Sequence, residues 1–160
     1  MKQITLSKWL KFIIIGVGIC GLMIYGIVIP MLGQHLAAYL NGEFDHCYWP
    51  WLALIWITAV PCYIVLIFSW KIASNIGNDK SFTVDNAKNL KCISVLAALD
   101  AALFFIGNIV YLFFDLNHPG IVLCSLLVVF AGIAVSIAFL ALSHLVLKAE
   151  VLQEQSDWTI

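Results

Sequence analysis

Four long apolar segments, separated by short polar connectors, set the pattern of this chain. They cover approximately residues 12–32, 48–70, 92–114 and 121–147. A helix needs about 20 apolar residues to cross the hydrocarbon core of a bilayer, and each segment has that length. The first, second and fourth segments contain no Asp, Glu, Lys or Arg, and the third contains only Asp100. The pattern therefore predicts an all-α integral membrane protein with four transmembrane helices in an antiparallel bundle.

Composition supports a membrane protein and excludes several other classes. Of the 160 residues, 63% are apolar and 11% are charged, and the mean hydropathy is +1.02. A soluble domain has about 45–50% apolar and about 25% charged residues, so a soluble globule could not bury this much apolar surface. All the basic residues are lysines and the net charge is −1, which leaves no basic face for direct nucleic-acid binding. We expect one membrane domain over residues 1–160, with its first apolar segment retained as a helix and not cleaved as a signal.

The lysines fall on alternate connectors. Lysines precede the first segment, lie between the second and third, and follow the fourth: Lys2, Lys8, Lys11, Lys71, Lys80, Lys88, Lys91 and Lys148. The other two connectors, residues 33–47 and 115–120, contain none. Cytoplasmic loops of membrane proteins carry the excess of Lys and Arg. We therefore expect a multi-pass protein of the cell membrane, with both termini, the loop 71–91 and the tail 148–160 in the cytoplasm.

Small residues in the fourth segment predict how the helices pack. Ser125, Gly132, Ser136 and Ser143 are spaced by 7, 4 and 7 residues, which keeps them on one face of a helix. Helices in lipid associate through close contacts of small residues and through polar contacts. Burial of apolar side chains does not favour helix association inside a bilayer, because lipid tails are equally apolar. This stripe is predicted to be the packing face of the fourth helix.

Asp100 is the candidate for intramembrane chemistry. It lies near the middle of the third segment, where a carboxylate is costly, and no Lys or Arg lies within any segment to pair with it. Matching the depths of the segments nominates Ser136, and Tyr63 with the region around Pro61, as its hydrogen-bond partners. Pro61 lacks an N–H and so frees the Ile57 carbonyl for a protonated Asp100, and Asn108 extends the same loosely polar face. We interpret Asp100 foremost as a protonated structural donor. The alternative is a small proton-linked transporter or a ligand-binding membrane protein that uses Asp100.

Nothing in the sequence resembles a catalytic or cofactor site. His35, His46 and Cys47 share the first lysine-free connector with two acidic residues, but their spacing matches no zinc motif, so we expect no metal. The five cysteines include no C-x-x-C pair, and no phosphate loop or nucleophile elbow is present. We expect a protein without enzymatic activity and without a cofactor.

The predicted cytoplasmic side carries the candidate partner-binding residues. Thr83 is a good N-cap for a helix that runs into the third segment, and the tail extends the fourth segment as a polar helix. The candidate residues are Phe82, Thr83, Asn86, Lys88, Glu154, Asp157, Trp158 and Ile160. A six-residue connector makes the third and fourth helices neighbours. We therefore expect Phe82 to form one surface with the apolar tail residues Val151, Leu152, Trp158 and Ile160.

Two segments carry a resemblance to a known family. Residues 81–91 read SFTVDNAKNLK and resemble the signature PFT-x-EN-A-x-x-L, with Ser81 in place of Pro and Asp85 in place of Glu. Residues 149–160 read AEVLQEQSDWTI and resemble the ending A-x-x-L-x-E-E-N-D-L-T-I. These motifs are typical of the small bacterial four-span membrane family catalogued as domain of unknown function 2975.

The resemblance implies a membrane protein without an established activity. Genes of that family are often found beside a small helix-turn-helix regulator, which implies a cytosolic regulatory protein as a candidate partner. Our leading hypothesis is that the loop and the tail bind or sequester such a regulator. The sequence leaves the oligomeric state open, a homo-oligomer included.

The lysine distribution generates a topology prediction. Cys47 should react with a membrane-impermeant thiol reagent applied to intact cells, whereas Cys92 and a reporter cysteine introduced at Ser81 should not, because they lie at the lysine-rich side. Labelling at position 81 in intact cells would overturn the orientation.

Overall fold

The computed structural model describes residues 3–39 and 45–157, and every described element is helical. The elements are α1 (Gln3–Met23), a π-helical segment (Ile24–Val28), α2 (Ile29–Tyr39), α3 (Asp45–Gly77), α4 (Val84–Phe113) and α5 (Pro119–Asp157). Four of the described helical stretches are long and apolar enough to cross a membrane: Gln3–His35, His46–Gly77, Val84–Phe113 and Pro119–Gln155. We call them the first to fourth spans.

The helices are longer than the bilayer requires. α3 has 33 residues, α4 has 30 and α5 has 39. At about 1.5 Å per residue α5 is about 58 Å long, against about 30 Å of hydrocarbon. Most of the predicted loop 71–91 is therefore helical, and only residues 78–83 lie between α3 and α4. The predicted helical extension of the tail is confirmed as far as Asp157.

Thr83 starts α4 as the sequence predicts. Its backbone is extended, with φ −137° and ψ 151°, and its side chain accepts a hydrogen bond from the Asn86 backbone N–H. This bond satisfies one of the backbone donors that the first turn of a helix leaves unpaired. The N-cap fixes the point at which the connector becomes the third span.

The third and fourth spans pack through the predicted stripe of small residues. The Ser136 hydroxyl donates to the Ser94 carbonyl at 2.8 Å, and the Ser143 hydroxyl donates to the Ala87 carbonyl at 2.6 Å. A Cβ atom on Gly132 would lie 3.0 Å from the Ala101 Cβ, so the two backbones approach closely there. Ser125, Ser136 and Ser143 are all buried, which confirms the stripe as a packing face.

The predicted bundle is open between its first and fourth helices. In the part of the chain that the structure describes, each span packs its backbone only against the spans next to it in sequence. The backbone of the first span therefore packs on the second, while its Gln3 side chain accepts a hydrogen bond from the Ser81 hydroxyl of the 78–83 connector at 2.9 Å. Large apolar side chains point outward along all four spans, for example Phe12, with 71% of its surface exposed, and Leu127, with 74%. This surface suits lipid acyl chains.

Proline explains an irregularity in the first span. The π-helical segment directs the Ile29 N–H to the Ile24 carbonyl, and Pro30 has no N–H to donate. The Tyr25 carbonyl is thereby left without either of its helical partners. The Trp56 indole N–H of the second span donates to it at 3.1 Å. A backbone acceptor exposed by the helix irregularity is thus satisfied by the neighbouring helix, as a bilayer requires.

The end of the molecule opposite the 78–83 connector is held by aromatic side chains. The Trp51 indole N–H donates to the Leu116 carbonyl at 2.9 Å, and the Tyr111 hydroxyl donates to the Pro50 carbonyl at 2.8 Å. The rings of Trp51 and Tyr111 meet edge to face. Cys47 at this end is only 7% exposed, which makes it a poor target for the predicted thiol labelling. A cysteine at the exposed position His118 is the better reporter for this side.

The close approach at Gly132 generates a stability prediction. Gly132→Leu should lower the free energy of unfolding by about 1–3 kcal/mol, because the added side chain forces the third and fourth spans apart. Gly16→Leu is the matched control, since nothing lies within 4 Å of a Cβ at Gly16. Denaturant titration in detergent measures the free energy of unfolding of both variants. Equal destabilisation by the two variants would contradict the close contact of the third and fourth spans at Gly132, which we call the seam of these spans.

Candidate functional site

A groove lies where the connector between the second and third spans meets the tail of α5. Its volume is about 510 Å³. Its walls come from the start of α1, the connector and one face of the tail: Gln3, Asp79, Lys80, Ser81, Phe82, Thr83, Glu150, Gln153 and Glu154. We call it the loop–tail groove.

Asn86 fixes the connector that forms one wall of the loop–tail groove. Its side chain is 1% exposed. Its amide oxygen accepts from the Asn75 side chain at 2.7 Å, and its amide nitrogen donates to the carbonyls of Lys80 and Ser81 at 2.9 and 3.0 Å. The interpretation of Asn86 as a partner-binding residue is therefore wrong, because all of its amide is used inside the fold. Asn86 positions the residues that line the groove.

The other candidate partner-binding residues divide between the groove and its surroundings. Phe82, Thr83 and Glu154 line the groove, and Phe82 is 53% exposed. Lys88 is exposed outside the lining. Trp158 and Ile160 lie outside the described residues, as does the side chain of Asp157.

The tail turns a polar face towards the connector, not an apolar one. Glu150, Gln153 and Glu154 follow the helical spacing of three and four residues and line the groove together. Val151 and Leu152 do not line it, and they are 47% and 58% exposed. Trp158 and Ile160 lie outside the described residues, so the expected apolar surface of Phe82 with Val151, Leu152, Trp158 and Ile160 stays a prediction, and the groove itself contains only Phe82 of this set. Helical rotation places Val151 and Leu152 outside the groove.

The loop–tail groove is acidic, and one carboxylate oxygen in its lining has no hydrogen-bond donor. Three carboxylates, from Asp79, Glu150 and Glu154, line it against one ammonium group, from Lys80. The Glu150 Oε2 atom is buried and has no hydrogen-bond partner. A buried carboxylate oxygen without a donor is unfavourable, and a bound cationic donor would remove that cost. The lining of the groove carries more negative than positive side chains.

Asp100 belongs to a second polar cluster, inside the spans. Its Oδ2 atom lies 3.6 Å from the Cys62 sulfur, which donates to it, and its Oδ1 atom is buried without a partner. The Tyr25 hydroxyl of the first span lies beside Cys62 and the Thr58 hydroxyl. The cluster therefore joins the first three spans at one depth. We call Tyr25, Thr58, Cys62 and Asp100 the intramembrane cluster.

Of the partners predicted for Asp100, Ser136 and Tyr63 are wrong, whereas the region around Pro61 supplies Cys62. Ser136 bonds to Ser94 within the seam of the third and fourth spans. Tyr63 donates to the Gly18 carbonyl of the first span at 3.0 Å. Residues at matching depth point in different directions around their helices, and depth alone cannot resolve that rotation. Cys62, next to Pro61 within the continuous helix α3, is the side chain that the sequence did not single out.

Asn108 is also separate from Asp100. It is fully buried, its amide nitrogen donates to the Phe104 carbonyl at 2.8 Å, and its oxygen accepts from the Asn117 side chain at 3.2 Å. These bonds connect the end of α4 to the following connector. The four intramembrane residues singled out in the sequence therefore occupy four different hydrogen-bonded groups.

The lysine-free connectors bring few metal-binding groups together. The Cys47 sulfur lies 3.3 Å from the His46 imidazole Nε2. Among the described residues, no three His, Cys, Asp or Glu side chains gather around one point. Glu43 and the side chain of Asp45 lie outside the described residues.

Comparison with known proteins agrees with this architecture. A family model described as a protein of unknown function (DUF2975) matches residues 32–160. The chain is also similar to the uncharacterized membrane protein YoaS of Bacillus subtilis (strain 168), with 24% identity over 161 residues that cover 99% of each chain. No solved structure matches the chain significantly. The resemblance seen in residues 81–91 and 149–160 is thereby confirmed, and the chain belongs to the DUF2975 family of membrane proteins.

Proposed function

We propose that this membrane protein binds a cytosolic protein at the loop–tail groove, without enzymatic activity, and that the bound segment is basic. The observation that carries the proposal is the buried Glu150 Oε2, which has no donor in a groove with three carboxylates and one ammonium group. A Lys or Arg side chain from a partner would supply both the missing donor and the missing charge.

The proposal needs the groove on the cytoplasmic side, and two observations support that orientation. All the lysines precede residue 12, lie between residues 70 and 92, or follow residue 147. At the same end, the Lys11 ammonium lies 5.3 Å from the Trp70 ring centre, and the Lys71 ammonium lies 5.2 Å from that of Phe68. Paired Lys and aromatic residues are typical of a membrane interface.

An antiparallel order of the spans is part of the same proposal. Along the third and fourth spans, contacts join residues 87 to 143, 94 to 136 and 101 to 132, so one number falls as the other rises. This order supports placing the 78–83 connector and the tail at one end of the molecule.

The groove's size and charge favour a segment of a small regulator as the partner. A volume of about 510 Å³ holds a few side chains, so one segment of a protein would enter and the rest would stay outside. A helix-turn-helix regulator carries basic residues for the phosphates of DNA. If those residues enter the acidic groove they are unavailable to DNA, and the regulator is sequestered at the membrane.

Site-specific crosslinking tests this function. A photo-crosslinking amino acid at Phe82 should capture a cytosolic protein of basic composition in cells, identified by mass spectrometry. With that protein purified, the double variant Glu150→Gln and Glu154→Gln should weaken binding about three- to tenfold at low salt, because two charge-assisted contacts are lost. Added salt should shrink the difference between the wild type and the variant.

Asp115→Asn is the matched control for lost charge. It removes one carboxylate from an exposed residue in the 115–120 connector, away from the groove, and should leave binding unchanged. Equal weakening by Asp115→Asn and by the groove variant would show that net charge alone attracts the partner. Full binding by the groove variant would contradict the proposed site.

A further inference from the structure

We infer that the intramembrane cluster is a reversible proton-binding site, with Asp100 as the group that gains and loses the proton. This site is independent of the loop–tail groove and lies inside the spans. Its ligand is the proton itself, which needs no cavity.

The charge balance of the spans requires a ligand for Asp100. Residues 12–32, 48–70, 92–114 and 121–147 contain one Asp, no Glu and no Lys or Arg. An ionised carboxylate at this depth therefore has no resident counter-ion, and its charge costs several kcal/mol in hydrocarbon. Binding of one proton converts the carboxylate to the neutral acid and removes that charge.

The hydrogen bonds around Asp100 indicate where the proton binds. Oδ2 already accepts from the Cys62 thiol, while Oδ1 is buried and accepts from no group. Oδ1 is therefore the free basic oxygen of the pair. The proton on Oδ1 leaves the Cys62 contact at Oδ2 unchanged, so the site fills and empties without rearranging its existing bond.

The groups that face Asp100 come from the spans packed against its helix. The second span contributes Cys62, and the first span contributes Tyr25 next to it. The fourth span turns Ser136 and Ser143 to the third, and neither hydroxyl titrates. The apolar segments 12–32, 48–70, 92–114 and 121–147 contain no other Asp, Glu, Lys or Arg that could compete with the proton.

The layout supports proton binding in place and not conduction across the membrane. Thr58 and Cys62 are one helical turn apart, Tyr25 lies beside both, and Asp100 lies beside Cys62. The exchangeable protons are thus arranged across three spans at one depth. A pathway through the bilayer would need such groups along its thickness. The other buried amide of the third span, Asn108, bonds to Phe104 and Asn117 and not to this cluster.

Infrared difference spectroscopy of the full chain in lipid vesicles tests the site. The wild type should show the carbonyl band of a protonated carboxylic acid that disappears as the pH is raised. Asp100→Asn should lack the band, whereas Asp115→Asn, which removes an exposed carboxyl, should keep it. A band that never titrates while the protein stays folded, or that persists in Asp100→Asn, would overturn the proposal.

Variants that keep Asp100 test the site even if Asp100→Asn does not fold. Cys62→Ala removes the donor to the carboxylate, so proton binding should tighten about three- to tenfold. Cys20→Ala and Tyr63→Phe are the controls, because Cys20 lies exposed on the first span and Tyr63 bonds only to Gly18. Both controls should leave the titration midpoint in place, and an equal shift in all three would overturn the assignment.

Titration with salts separates the proton from a metal cation. At fixed pH, exchange of Na⁺ for K⁺, and a rise in either, should leave the protonated band unchanged. Loss of the band on addition of one of these cations would assign the site to that cation and overturn proton binding.

Discussion

The structure depends on one constraint, the absence of water from the hydrocarbon core. Backbone groups there must bond inside the protein, and apolar side chains gain nothing by leaving lipid for a neighbouring helix. Association must then come from close backbone approach and from short polar contacts. The seam of the third and fourth spans provides both, through Gly132 against Ala101 and through the hydroxyls of Ser136 and Ser143 on backbone carbonyls. The rest of the molecule is arranged on this seam.

The first span shows how the same constraint acts where the helix is irregular. Its apolar side chains are largely exposed, and its hydrogen bonds with the second span include those of Ser7 to the Ala73 carbonyl, Tyr63 to the Gly18 carbonyl, and Trp56 to the Tyr25 carbonyl. Two of these bonds use carbonyls of the first span as acceptors. Such bonds fix the rotation of one helix against the other, which packing of uniform apolar side chains would leave undefined.

The sequence predicts the architecture better than it predicts the sites, for a physical reason. Hydropathy and the spacing of small residues are properties of one helix, so the four spans, the Thr83 N-cap and the buried serines of α5 follow directly from the chain. The partner of Asp100 depends on the rotation of two helices about their axes. That rotation is set by contacts distant in sequence, and the choice between Cys62, Tyr63 and Ser136 cannot be read from depth.

The tail is a second case in which the sequence predicts a helix but not its rotation. Its helical continuation follows from the sequence, yet only the rotation of α5 on α4 decides that Glu150 and Glu154 face the connector while Val151 and Leu152 face away. Because α5 is one helix from the seam to Asp157, the acidic wall of the groove is already ordered before any partner arrives. The opposite wall is held by Asn86, which lies at the start of α4. The proposed partner would meet two walls built on adjacent, packed helices, and folding already supplies the free energy of ordering those walls. For the proposed binding function, this preorganisation would lower the cost of ordering a small groove with few contacts.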